Sequence, residues 1–388
     1  MKKNAFFFAL LFALLLILGA GVGVLLAKLG DAPAPTPPPV TATPEPTEAP
    51  LPTVLPEVCG HPQFVDGVCV LCGAKCEHPF HDADGACLLC GERVVHRFVG
   101  GVCACGARAD LRVSLLPARF YEPCDEEGSI VTWSYQSVLW GNDLPVTVKA
   151  DFYIPCGYDP SRQYNVLVLL HGLLSTERSW LDEPQQLADG REFEMRWIYD
   201  HMIQEKLIEP LIIVSASQYF LHGDKQYKSS YEQMASEIQN MILPYTASFL
   251  STYAAAGDAE ALIAAREHFA IGGNSWGSYY TYDTGMCQSL PYFASFLCFS
   301  GDAATAYVVQ SLEAEALREY PVRLYYAAAG DNDVARKGEE TCFYTIVPRV
   351  ERLVDGENAF YHVCVGNHDW DTWSIEIYNA LQLLFQGG

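Results

Sequence analysis

At 388 residues, with a formal net charge of −23 and half of its residues hydrophobic, the chain can bury a sizeable core but is too acidic for a nucleic-acid-binding surface. Length suggests two or three units, and shifts in composition place their boundaries.

Met1-Lys2-Lys3 precedes an almost uninterrupted apolar run from Ala5 to Ala27, closed by Lys28. As a helix that run spans roughly 34 Å, enough for the roughly 30 Å hydrocarbon core of a bilayer. It exceeds the apolar core of a cleaved signal peptide, and no clean small-residue cut site follows, so 1–30 is expected to be an uncleaved transmembrane signal anchor. Lys2 and Lys3 predict a cytoplasmic N-terminus, with the membrane as a partner and the later domains extracellular. Secretion after signal cleavage is the alternative. Residues 31–57 are nearly all Pro, Thr, Ala and Glu, a composition that favours extended polyproline II segments over a packed core. A disordered, semi-rigid stalk is expected there.

Residues 58–107 hold eight of the fourteen cysteines, arranged as an internal repeat. The first unit offers Cys59, His61, Cys69 and Cys72, and the second Cys76, His78, Cys87 and Cys90. A third unit is degenerate, with Val94 at the leading position, His96, and Cys103-Ala-Cys105 in place of the C-x-x-C pair. Three Cys and one His suit tetrahedral Zn²⁺, and segments this short need metal or disulfides to fold. The repeats resemble zinc-ribbon-like units appended to exported bacterial proteins, and structural zinc is expected. A disulfide framework is the competing expectation for an exported segment. The remaining cysteines, Cys124, Cys156, Cys287, Cys298, Cys342 and Cys364, lack metal spacing and are expected as buried thiols or partial disulfides.

From 111 to 388 the pattern becomes strands alternating with helices, the mark of a mostly parallel α/β sheet. Alternating apolar residues predict antiparallel entry strands at 129–138 and 144–154. Continuous apolar runs predict buried strands at 164–170, 211–214, 268–271, 293–299, 322–328 and 360–365. Helical spacing marks 193–207, 230–249 and a closing helix at 375–385.

Between strand and helix lies Gly273-Asn274-Ser275-Trp276-Gly277, a G-x-S-x-G pentapeptide. In that setting it forms a nucleophile elbow, a turn so tight that only small residues fit beside the serine. Such a turn lifts the Ser275 hydroxyl above the sheet and aims backbone N–H groups at a developing oxyanion. His171-Gly172-Leu173-Leu174 follows the 164–170 strand, where this arrangement needs its second oxyanion donor. The oxyanion hole is therefore assigned to the N–H groups of Trp276 and Leu173, with Leu174 as the alternative for the second. Gly330-Asp331-Asn332-Asp333 follows a later strand, and Asp333 has the better spacing for the catalytic acid, with Asp331 as the alternative. Asp302 is expected to be structural or to face substrate. His368, on a Gly loop after the last strand, completes the order Ser, Asp, His. His201, His268 and His362 fall within or beside regular elements and fit worse.

Residues 111–388 resemble the esterase-D-like α/β-hydrolases, in particular carbohydrate esterase family 1, which includes feruloyl and acetyl-xylan esterases. The resemblance rests on Leu170-His171-Gly172-Leu173 with Trp180, on the pentapeptide, on Gly330–Asp333, and on His368-Asp369-Trp370-Asp371-Thr372-Trp373. It implies an α/β-hydrolase fold with Ser275, Asp333 and His368 as triad, two-step acyl transfer, and no cofactor for catalysis. The family usually has Met after the nucleophile and Gly after the pentapeptide, where this chain has Trp276 and Ser278, so the acyl pocket is expected to differ in shape. The implied substrate is a feruloyl or acetyl ester on plant cell-wall polysaccharide, with Tyr219, Phe220, Trp180 and Trp370 as aromatic candidates for the site or for ordinary core. A siderophore esterase is the second reading within the family, and S-formylglutathione hydrolysis is disfavoured by the membrane segment. A non-catalytic binding module is the reading from a different class.

Overall fold

The computed structural model describes residues 116–386 and, ahead of them, four two-residue strands. The expected anchor at 1–30, the stalk at 31–57 and, apart from Cys69, the expected metal ligands lie outside the described residues. Among the described residues no helix is long and apolar enough to cross a membrane. The short strands form two hairpins, β1 (Phe64–Val65) with β2 (Val68–Cys69), and β3 (Phe98–Val99) with β4 (Val102–Cys103). Phe64 pairs with Cys69 and Phe98 with Cys103, so the complete first unit and the degenerate third share one register.

The remainder is built on a ten-stranded sheet. Its strands are β5 (Ser129–Leu139), β6 (Leu144–Ile154), β7 (Asn165–Leu170), β10 (Leu211–Ala216), β11 (Tyr219–His222), β12 (Lys225–Lys228), β13 (Phe269–Asn274), β14 (Ser295–Phe299), β15 (Leu324–Gly330) and β16 (Ala359–Cys364). A separate short pair joins β8 (Gln185–Gln186) to β9 (Glu192–Phe193). The order runs β12-β11-β6-β10-β7-β13-β14-β15-β16, with β5 along β6. From β10 through β16 every pairing is parallel, while β5, β6, β11 and β12 are antiparallel.

Side chains of a strand alternate between faces, and here both faces are covered. On β7, Val166, Val168 and Leu170 enter one core cluster while Leu167 and Leu169 enter the other. On β14, Phe296 and Cys298 divide from Leu297 and Phe299 in the same way. That double burial is why these strands read as unbroken apolar runs. Each such side chain contributes about 1.5–3 kcal/mol.

The helices are α1 (Met195–Gln204), α2 (Tyr231–Glu237), α3 (Leu243–Phe249), α4 (Ala259–Ala264), α5 (Trp276–Tyr280), α6 (Thr305–Leu312), α7 (Arg336–Ile346) and α8 (Trp370–Leu381). The long helix expected over 230–249 starts where Ser230 caps Gln233 N–H, but a π-helical turn at Ile238–Ile242 separates α2 from α3. Pro244 stands at the start of α3 and has no N–H to give the preceding turn, which loosens the regular bonding. The closing helix begins at Trp370, five residues before the expected 375, because the Asp369 carboxylate caps Thr372 N–H. Cys124, Cys156, Cys287, Cys298, Cys342 and Cys364 are all free thiols, so the expected partial disulfides are not formed.

One buried acid ties the helical layer to the sheet. Glu339 on α7 accepts from Gly301 N–H at 2.6 Å and from the Tyr282 hydroxyl, with Ser278 at 3.4 Å. Burial outweighs these contacts and pushes its pKa up to about 8 from 4.5. Between those values the unfolded chain releases a proton that the folded chain keeps. Stability from this group is therefore full below about pH 4.5 and falls by on the order of 1 kcal/mol per pH unit until about pH 8. Glu339→Gln is expected to flatten that decline, with its largest advantage over the wild type at pH 8, in denaturant unfolding measured across pH.

Candidate active site

The nucleophile is placed by two close backbone approaches. A Cβ on Gly273 would lie 2.4 Å from the Leu170 carbonyl oxygen, and one on Gly277 only 1.9 Å from it. Glycine at both positions lets β13 and α5 close against the end of β7. Between them Ser275 takes φ 51° and ψ −114°, and its N–H donates to Phe299 O at 2.8 Å. That left-handed backbone costs energy for a residue with a Cβ, and the flanking packing holds it there.

His368 arrives from the loop between β16 and α8. Its Nε2 accepts the Ser275 hydroxyl at 2.8 Å, and its Nδ1–H donates to Asp333 Oδ1 at 2.9 Å. Asp333, after β15, also accepts Ala335 N–H at 2.7 Å. Burial alone would raise the Asp333 pKa, but the hydrogen bonds from His368 and the Ala335 N–H, with the Ser300 hydroxyl nearby, outweigh it and lower the pKa. The structure thus brings Ser275, His368 and Asp333 into one hydrogen-bonded line. Asp331 has another task, accepting Gly366 N–H at 3.0 Å and so fixing the histidine loop.

The H-D-W-x-x-W segment has a physical role here. Trp373 meets the His368 ring edge to face at 5.1 Å, Trp370 meets Trp373 at 5.1 Å, and Trp180 meets Trp370 at 5.0 Å. This aromatic column leaves the imidazole little freedom to turn away from Ser275. Trp180 is fully buried and donates its indole N–H to Leu170 O, and Phe220 is fully buried too. Both are core rather than site-lining.

Trp276 is the first residue of α5, where a helix leaves its N–H without an internal acceptor. The 171–174 loop passes beside the nucleophile, since a Cβ on Gly172 would lie 3.5 Å from Ser275 Cβ. In it Leu174 holds φ 65°, and Leu173 and Leu174 are 55% and 77% exposed. His171 itself is buried, which pushes its pKa down to about 4 and keeps the ring neutral, with Nδ1–H donating to Gly172 O at 2.9 Å. His171 is therefore a structural part of the loop.

The sequence reading missed the ribbon β11–β12 and the residues it carries. Gln218, just before it, grips the main chain of His171 with both ends of its amide, Nε2 donating to the carbonyl at 2.8 Å and Oε1 accepting the N–H at 3.2 Å. Tyr219 stacks on the His171 ring at 5.4 Å. Lys228 places its ammonium 3.4 Å from the centre of the Trp276 ring. Supports for both oxyanion segments thus come from one ribbon. Its turn, His222-Gly223-Asp224-Lys225 between two short alternating runs, was the available signal. The amide grip depends on tertiary adjacency and had none.

Among the described residues no group of His, Cys, Asp or Glu could hold a metal ion. The arrangement offers a nucleophile, a base, an orienting acid and main-chain donors, which is the equipment for acyl transfer. Gly277→Ala is expected to push α5 away from β7 and lower kcat by on the order of 10²-fold, read from ester hydrolysis alongside a Tm that reports the folded state.

No protein-family model matches the chain. It is 31% identical over 284 residues to endo-1,4-beta-xylanase Y of Acetivibrio thermocellus, a match that takes in 69% of this chain and 24% of that protein. The chain therefore spans about a quarter of the length of this curated relative. Among solved structures, a serine-to-alanine mutant of the feruloyl esterase module from Clostridium thermocellum, complexed with sinapinate, is 25% identical with a TM-score of 0.61. That similarity covers 72% of this chain and 95% of the module. A CE1 ferulic acid esterase from Anaeromyces mucronatus is 19% identical with a TM-score of 0.52, covering 70% of this chain and 96% of its own, a likeness of fold. The sheet and helices that carry Ser275, Asp333 and His368 are those of an α/β-hydrolase, similar over their length to a feruloyl esterase module.

Proposed function

We propose that the protein is a serine carboxylic-ester hydrolase that removes feruloyl or acetyl groups from plant cell-wall polysaccharide. The observation that carries this reading is the continuous line from the Ser275 hydroxyl through His368 to Asp333, at 2.8 and 2.9 Å. His368 takes the proton of Ser275 as the hydroxyl attacks the ester carbonyl, and Asp333 stabilises the imidazolium that forms. The oxyanion is held by the N–H groups of Trp276 and Leu173. The alcohol leaves with the proton from His368, and water activated by the same ring releases the acid and frees Ser275.

Similarity to the feruloyl esterase module and to a xylanase supports the polysaccharide ester as substrate. The exposed apolar residues beside the triad support an aryl acyl group in particular. Leu173 and Leu174 stand on the oxyanion loop, and Val334, 71% exposed, directly follows the catalytic acid. Methyl ferulate and p-nitrophenyl acetate are the expected test substrates. Ser275→Ala is expected to lower kcat by on the order of 10⁴-fold or more. A wild-type rate in that variant would exclude the mechanism.

For the N-terminal part, the proposal is a membrane anchor at 1–30 with the later domains outside the cell, and one structural Zn²⁺ in each complete Cys/His unit. The apolar run and the ligand spacing support it, as does the hairpin that the first and third units share. The full chain is expected in the membrane fraction and, after detergent extraction under reducing conditions, to carry one zinc per complete unit by elemental analysis. A soluble, zinc-free chain would overturn both assignments.

A further inference from the structure

Behind the triad lies a buried acid that the acyl-transfer chemistry leaves unused. Glu376 on α8 and Ser300, just after β14, are each 1% exposed. The Ser300 side chain faces the carboxyls of both Asp333 and Glu376. Ser300 holds φ 53°, an uncommon backbone conformation for a residue with a Cβ, and its N–H is fixed on Ala328 O at 2.8 Å. Ser300 Oγ, Asp333 Oδ2 and Glu376 Oε2 are closed to solvent, and none of them has a hydrogen-bond partner among the described residues.

Counting protons resolves the trio. Asp333 Oδ1 already accepts from His368 and from Ala335, so Oδ2 is the oxygen that lacks a donor. Ser300 has one proton to give and can accept another. The titratable groups facing Glu376 are the acids Asp333 and Glu339, while the Cys364 thiol reaches its Oε1 at 3.8 Å and the Tyr326 phenol stands close by. Burial first, and then the neighbouring acids Asp333 and Glu339, raise the Glu376 carboxyl well above its usual value, which favours its protonated form.

We propose that Glu376 is a positioning residue for the catalytic acid: its carboxyl proton is donated to Ser300 Oγ, and the Ser300 hydroxyl is donated to Asp333 Oδ2. Two protons, one from the carboxyl and one from the hydroxyl, thus satisfy three buried oxygens, and the chain holds Asp333 ionised and aligned with His368. This rests on Ser275, His368 and Asp333 acting as the triad. A merely structural Glu376 would lower Tm on replacement but would leave the pH dependence of kcat where it is.

The test uses the full chain and p-nitrophenyl acetate. Glu376→Leu is expected to lower kcat about tenfold with KM unchanged, and Ser300→Ala to lower it by a similar factor. The double variant is expected to lose no more than either single one, because both break the same chain. Loss of the donor raises the Asp333 pKa, so the acid limb of kcat moves to higher pH in both variants. Glu376→Gln, whose amide N–H replaces the carboxyl proton, is expected to stay within about threefold of the wild type. Tm values establish that the variants are folded, and Ser300→Ala, which deletes a single oxygen, keeps the test open if Glu376→Leu does not fold. Wild-type kcat and acid limb in Glu376→Leu, a loss in Glu376→Gln as large as in Glu376→Leu, or additive losses would each overturn the proposal. A wild-type rate in Ser275→Ala would instead remove the hydrolase reading, whatever position 376 shows.

Discussion

The site depends on one main-chain oxygen. The Leu170 carbonyl lies so close to Gly273 and Gly277 that neither position has room for a side chain, and it also receives the Trp180 indole N–H. That contact sets how near β13 and α5 come to the end of β7. It thereby sets the height of the Ser275 hydroxyl and the place of the Trp276 N–H. Because Trp180 also leads the aromatic column to His368, the same oxygen is linked to the base as well as to the nucleophile. Preorganisation of this kind places the cost of orientation in folding rather than in each turnover.

The charge distribution is divided in a way that the net value hides. The chain carries a formal charge of −23, yet Glu339 and Glu376 at the centre of the domain are held in their neutral form by burial. Asp333, also buried, is kept ionised, because His368 and the Ala335 N–H both donate to it. Three carboxyls in one region therefore have distinct states set by their donors. Two brace the scaffold as hydrogen-bonding acids and one works as a charge.

Much of this was legible in the sequence because double burial writes itself as unbroken apolar runs, as in Val166–Leu170, and because elbow glycines have no substitute. The triad residues stood out since each follows a strand at the sheet's carboxyl end, where α/β folds place their chemistry. What escaped was of another kind. Gln218 grips His171 from a different strand connection, and Ser300 lies near two acids far away in the chain, so neither leaves a local pattern. The interruption at Ile238–Ile242 had a visible cause in Pro244, but helical periodicity continues across it and concealed the break. Trp180 and Phe220 looked like candidates for substrate contact because aromatic residues of core and cleft are the same types.

The ribbon β11–β12 joins the sheet through the single register pair Leu221 and Thr147, yet its two ends reach both segments that surround the nascent oxyanion. Its turn, at Gly223 and Asp224, is exposed. Length and composition there can vary while the central strands remain as they are. The catalytic centre is thus coupled to a short peripheral appendage, and turnover and selectivity become adjustable from a place where insertions and substitutions cost the scaffold little.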